Sequence, residues 1–220
     1  MQKSNPKKTI FEKQTQKHPG LEHKMSPVPV FVESLKGSNR LLDKKCIITG
    51  GDSGIGRAVA VAFAKEGADV AIIYLKAEQK DAEYTAEFIQ ETYGRICLLV
   101  PADISEEKNC NHAIELIVKQ FKNIDVLVNN AAVHYPVDDI LKISTKQLTE
   151  TFAVNIFAMF WITKAVLPYM KKGSIINSSS VTAYRGSAGL IDYSATKGAI
   201  VSFTRSLAAS LISKGIRVNG

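Results

Sequence analysis

Cysteine is scarce in this 220-residue sequence: Cys46, Cys97 and Cys110 show no CxxC spacing, and two of them lie in strongly apolar runs. That number and spacing argue against a disulfide framework and a thiolate metal site, and the thiols read as reduced core or near-surface groups of a cytoplasmic protein. Histidine is equally sparse. His18, His23, His112 and His134 form no HExxH motif or i,i+4 pair, so no metal site is expected. Long hydrophobic runs are missing too: the longest, Ala153–Ile162, is interrupted by Asn155. A membrane span needs about 20 apolar residues, so none is expected. The first twenty residues are basic and lack the apolar core of a signal peptide, which gives no indication of export. Extremes of composition are absent as well. With 45% hydrophobic and 22% charged residues, the chain is ordinary globular material of about one large domain.

The net charge of +7 is unevenly distributed. Residues 1–44 hold nine Lys/Arg against four Asp/Glu, whereas residues 45–220 hold 19 against 17. Pro6, Pro19, Pro27 and Pro29 also fall in the first segment, which has no apolar period of 2 or 3.6 residues. Residues 1–44 therefore read as an extended basic arm, and 45–220 as the folded domain. A solvated arm packing on a neighbouring subunit is expected rather than a nucleic-acid contact.

From residue 45 onward, short apolar runs alternate with amphipathic stretches of helical length. The runs Lys45–Thr49, Asp69–Tyr74, Ile96–Val100, Val126–Asn129, Ser174–Asn177 and Ile216–Val218 read as buried strands. Between them, Gly56–Glu66, Glu78–Tyr93, Glu106–Phe121, Lys146–Met170 and Tyr193–Ser213 read as helices. Such alternation predicts an α/β domain, a doubly wound parallel sheet covered on both faces. Ser105 is placed to cap the helix opening at Glu106, and Ser144 with Gln147 has capping-box spacing.

The first strand runs into Thr49-Gly50-Gly51-Asp52-Ser53-Gly54-Ile55-Gly56, and a helix begins at once. Glycines lack a Cβ and let the backbone approach a pyrophosphate, while the helix amino end offers free N–H groups and a positive dipole end. Later, Tyr193 and Lys197 stand four apart on a helix and so share one face, where an ammonium favours the phenolate form of a phenol.

Together with Asn129-Asn130-Ala131-Ala132 and Tyr193-Ser194-Ala195-Thr196-Lys197, the glycine turn resembles the motif set of the short-chain dehydrogenase/reductase family. The likeness runs from about Leu42 to the last residue. Ala132 stands where most members have glycine. Pro19-Gly20 in the arm, Gly50–Gly56 and Leu190-Ile191-Asp192-Tyr193 are similar to a bacterial subgroup of general-stress, glucose/ribitol dehydrogenase-like and aldehyde-reductase proteins.

The resemblance implies a Rossmann-like fold and hydride transfer between NAD(P) and a carbonyl or alcohol substrate. It implies Tyr193 as acid/base, Ser180 as holder of the substrate oxygen, Lys197 at the nicotinamide ribose, and Asn155 as anchor of a proton path; Ser179 is the alternative to Ser180. It also implies cofactor contacts from Gly50, Asp52, Ser53, Gly54, Ile55, Gly56, Asp103, Ile104, Asn130, Ala131 and Ala132, and homo-oligomerisation. At the end of the second strand Tyr74-Leu75-Lys76 carries no acid, and Lys76 and Arg57 stand where they could meet a 2′-phosphate, which favours NADP, with NAD as the alternative. A substrate lining from His134–Ile143 and Thr182–Asp192 is expected. Family members continue past Asn219-Gly220, so the sequence reads as a C-terminally incomplete enzyme. A non-catalytic dinucleotide-binding protein on the same fold is the competing reading.

Overall fold

Six apolar segments, Lys45–Thr49 (β1), Asp69–Tyr74 (β2), Cys97–Pro101 (β3), Val126–Asn129 (β4), Gly173–Asn177 (β5) and Ile216–Asn219 (β6), lie side by side as one parallel sheet. They do so in a computed structural model that describes residues 14–32 and 36–220. The first thirteen residues of the arm, and 33–35, lie outside the described residues. The strand order is β3-β2-β1-β4-β5-β6. Helices Gly54–Lys65 (α1), Gln79–Tyr93 (α2), Glu107–Phe121 (α3), Thr145–Phe152 (α4), Ala158–Val166 (α5), Thr182–Arg185 (α6) and Ile191–Leu211 (α7) make the crossovers. The architecture is the Rossmann-like doubly wound sheet that the alternation predicted.

Strand side chains alternate between the two faces, and each face has its own core. Ile47, Ala71, Ile73 and Leu127 meet Ile114 and Ile117 of α3 and Ile162 and Val166 of α5. Cys46, Ile48, Val70 and Ile72 meet Ala60, Val61 and Ala64 of α1 and Ile89 of α2. With Ile47 opposite both Ala71 and Leu127, a one-residue slip would exchange these two cores.

The expected boundaries hold to within two residues at most ends, with two informative exceptions. The stretch expected as one helix over Lys146–Met170 is α4, a π-helical turn at Ala153–Phe157, α5 and a 3-10 turn at Leu167–Tyr169. The π turn accommodates Asn155, whose buried amide must bond to something outside its own helix. Secondly, Ser105 does not cap α3. The helix starts at Glu107 without a side-chain cap, and Ser105 instead donates its own N–H to Asp103 Oδ1. Ser144 does cap α4, its hydroxyl accepting from Gln147 N at 3.1 Å.

Among the described residues one helical run, Thr145–Tyr169, is long and apolar enough to cross a membrane by length and composition alone, but half of its most apolar window packs inside the domain. The described arm residues turn back on the domain of their own chain. Phe31 sits edge-on to Phe88 and Tyr84, and Ser38 N, Arg40 N and the Arg40 guanidinium all donate to Glu66, holding its carboxyl down at about 2.

Candidate active site

The order of the strands sets where a ligand can lie. After β1 the chain winds to β2 on one side, and β4 takes the other, so the β1/β4 boundary is the point where an open sheet leaves a crevice at its carboxyl edge. Both the glycine turn and Asn130–Ala132 emerge there.

At the turn, glycine is required by space and by conformation. A Cβ on Gly56 would stand 1.8 Å from Gly50 O, and Gly54 has φ +51 with nothing within 4 Å of where its Cβ would be. The mouth of the turn is open, with Ile55 74% exposed at the first turn of α1. Thr49 ties the two loops together, its hydroxyl accepting from Asn130 N at 2.9 Å and Ala131 N at 3.0 Å. Asn130 returns the bond through Nδ2 to Thr49 O and Gly50 O. The motif Asn129–Ala132 is thus the brace of the glycine turn, and Asn129 in turn bonds to Asn177 of β5 at 2.9 Å.

Asp52 is 2% exposed, and its Oδ2 has no partner. Burial raises its carboxyl above the usual range. Burial and the nearby Asp52 and Asp81 push Glu78, at the far lip, up to about 7. Lys76 is exposed and shares Gln79 Oε1 with the Tyr74 hydroxyl, while the Tyr74 ring itself is buried. Arg57, read from sequence as a 2′-phosphate ligand, is not available for that role. It is 2% exposed and bonded to Glu22, Asp52 O, Thr85 and Asp81 O. Asp103 is exposed and caps the turn after β3, and Ile104 is packed in the core.

On the other side of the crevice, Lys197 in the second turn of α7 is 2% exposed, with Nζ donating to Ser178 O at 2.7 Å and lying 5.4 Å from the Tyr193 ring centroid. Burial pushes this ammonium down to about 8. The two serines after β5 separate by their partners. Ser179 donates to Lys197 O at 3.0 Å and braces β5 to α7. Ser180 accepts from Thr182 N and Oγ1, which leaves its own proton to be donated. Asn155 grips the chain after β4, accepting from Val133 N at 2.8 Å and donating to Val133 O and to Thr196 Oγ1.

Three contacts were not visible in the sequence. His134 packs edge-on against Tyr193, with ring centroids 5.5 Å apart. Asp192, 3% exposed, accepts from Gln147 Nε2, Thr151 Oγ1 and Tyr193 N, fixing the start of α7 to α4. Val137 N donates to Gly189 O, joining the two segments expected to line the substrate pocket around an open depression at Pro136, Asp138 and Lys142. Only a polar residue beside the Tyr–Lys pair could have signalled Asp192; the others depend on tertiary proximity.

A glycine turn braced at the switch point of a parallel sheet, facing a Tyr–Lys pair on the other wall, defines a dinucleotide-fold protein of the oxidoreductase class. Comparison with known proteins narrows this. The sequence model of the short chain dehydrogenase family matches residues 44–220, and the chain belongs to that family. It is 54% identical over 98% of its length to an uncharacterized oxidoreductase of Bacillus subtilis, YhdF, covering 76% of that protein. It is 48% identical to an NADPH-dependent aldehyde reductase of Arabidopsis thaliana, over 95% of this chain and 75% of the relative. Among solved structures, L-sorbose reductase of Gluconobacter frateurii, complexed with NADPH and L-sorbose, superposes with TM-score 0.78 at 28% identity, over 81% of this chain and 68% of that one. The family and the oxidoreductase relatives make the chain an NAD(P)-dependent dehydrogenase or reductase.

Proposed function

We propose that the chain reduces a carbonyl, or oxidises the corresponding alcohol, at the crevice between the glycine turn and α7. The observation that carries this is the buried Lys197 beside Tyr193, an ammonium kept dry next to a phenol. The dinucleotide would lie on Gly50–Gly56, with Asn130–Ala132 beneath it; the cradle that a Cβ on Gly56 would fill and the spare acceptor of Asp52 suit it. When bound, the cofactor supplies or accepts the hydride at its nicotinamide ring.

The chain's own residues handle the proton and the oxygen. Ser180 donates to the substrate oxygen, and Tyr193 gives or takes its proton. The Lys197 ammonium stabilises the charge left on the phenol oxygen and reaches the nicotinamide ribose. Asn155 holds the Val133 backbone, and with it the wall that carries His134.

NADP is the preferred cofactor, supported by the exposed Lys76, the absence of an acid at the end of β2 and the NADPH-dependent relative. The buried Asp52 and the neighbouring Glu78 favour ribose hydroxyls over a phosphate and keep NAD as the second reading. Asp103, with the backbone of Ile104, would meet the adenine, and Lys76, with the hydroxyl tip of Tyr74, its ribose. A small aldehyde, ketone or sugar alcohol is the substrate class, and the domain 45–220 works in the cytoplasm without nucleic acid or membrane. Homo-oligomerisation runs through α5 and α7, where Phe160 is 46% exposed and packs at a tilt against Phe203, ring centroids 4.4 Å apart. Titration with NADPH and NADH followed by fluorescence, then turnover on a carbonyl panel, tests the reading. Tyr193→Phe should abolish turnover, by about 100-fold or more, and spare cofactor binding. Binding without turnover on any carbonyl would favour the non-catalytic alternative.

A further inference from the structure

The arm before β1 contains a closed loop. At its neck, Ser26 N donates to Gln14 Oε1 at 2.9 Å and Gln14 Nε2 donates back to Ser26 O. Inside it, the Gln16 side chain bonds both the N–H and the C=O of Leu21. The loop Gln14–Ser26 therefore has the form of an Ω, its ends together and its body held by its own side chains.

This loop is fastened to both walls of the crevice. On the β1 side, Glu22 is 5% exposed, with its carboxylate accepting from Gly54 N at 2.5 Å and pairing with the Arg57 guanidinium. Asp81 accepts from Glu22 N and His23 N, each at 3.0 Å, and bonds the His23 ring at 2.9 Å. On the β4 side, the His18 ring lies 5.7 Å from the ring of Tyr135. Four residues from His18 to Glu22 reach at most about 14 Å, so the two fastenings are joined by a short span of chain.

The fastening is electrostatically costly. A buried Glu–Arg pair gives up two hydration shells, and its best-attested use is to fix register, where an apolar contact would have given equal stability. Glu22 engages Gly54, the residue that opens the phosphate cradle, and leaves the neighbouring Ile55 open to solvent. Lys17 and Lys24 are exposed on the same loop.

We propose that Gln14–Ser26 is a strap forming the outer wall of the dinucleotide crevice, with Glu22 as the positioning residue that seats it. This rests on the assignment of the crevice to a dinucleotide made above. The strap retains the bound cofactor; it slows release and shapes the site without taking part in hydride or proton transfer.

The two lysines make the test direct. Full-length protein is digested briefly with trypsin, with and without saturating NADPH, and cleavage after Lys17 and Lys24 is followed by mass spectrometry while NADPH fluorescence reports binding. The strap predicts cleavage at both sites slowed about tenfold or more by NADPH, and release of NADPH in stopped flow accelerated about tenfold by Glu22→Ala. His18→Ala leaves the Glu22–Arg57 pair intact, so it should accelerate release severalfold with the melting temperature unchanged, which a merely structural arm would not do. It also decides the matter should Glu22→Ala fail to fold. Fluorescence showing bound NADPH without protection, or both variants releasing NADPH at the wild-type rate, overturns the strap and leaves the proposed function standing. Wild-type protein that binds neither NADPH nor NADH overturns both.

Discussion

Replacing Lys197 by methionine should make the protein more stable at neutral pH while removing its activity. Burial pushes the Lys197 ammonium from 10.5 down to about 8, a displacement corresponding to about 3 kcal/mol against the charged form. Methionine has a similar unbranched shape and good helix propensity, so it removes this cost with little disturbance of α7. It also removes the bond from Nζ to Ser178 O, worth about 1 kcal/mol. The net expectation is about 2 kcal/mol of added stability at pH 7.

The pH dependence carries the sign. Between about 8 and 10.5 the unfolded chain binds the lysine proton and the folded chain does not, so wild-type stability rises with pH across that window. The advantage of Lys197→Met is therefore full below about pH 8, shrinks above it and vanishes near about pH 10, where only the lost hydrogen bond is left. Equilibrium urea unfolding of both proteins, without cofactor, at about pH 7, 8.5 and 10 measures this. A methionine variant less stable than wild type at pH 7, or a difference constant across the three conditions, would refute the claim that Lys197 is held charged in a dry site.

Further consequences concern other parts of the site. Gly56→Ala puts a Cβ 1.8 Å from Gly50 O and 2.8 Å from Asn130 Nδ2; the turn must open, and calorimetric titration should find cofactor binding lost with a native circular dichroism spectrum and about 1–3 kcal/mol of stability gone. Asn155→Leu leaves Val133 N–H and C=O without their partner and should cost about 3 kcal/mol in urea unfolding, with turnover falling further than stability explains. The three thiols are each pushed up to about 12, chiefly by burial. Native protein at about pH 8 should thus react with a thiol reagent about a thousandfold more slowly than unfolded chain, and one fast-reacting cysteine would contradict that environment.

The sheet was legible because its signal is local. Strand residues such as Val70, Ala71, Ile72 and Ile73 are buried on both faces and appear as an unbroken apolar run, and glycines mark the turns by what they lack. The Tyr193 and Lys197 pairing was legible for the same reason, since four residues of one helix suffice to fix it. Arg57 shows where such reading ends. Its partners are Glu22, 35 residues upstream, and Thr85, 28 downstream; a charge can be counted in a sequence, but its commitment is decided by distant neighbours. Likewise, composition identified the arm as basic and proline-rich without revealing that Glu22 lies buried against α1. Asn155 was conspicuous as an amide in an apolar run, yet the π turn around it depends on Val133, which only the fold brings near.

That π turn also fixes the phase of the helix beyond it. An α-helix advances about 100° per residue, so an interior helix with one residue too many at Ala153–Phe157 is a register device. Closing that turn to a regular α-helix with no residue removed would rotate every later position by about a quarter turn. Met159, now facing inward, would take the outward direction of Phe160, and the exposed Phe157 would be carried inward to that of Ala158. The polar requirement of a single asparagine thus sets which aromatic rings the long helix displays to the outside. The chemistry of the site and the surface offered to another molecule cannot drift independently along that stretch of chain.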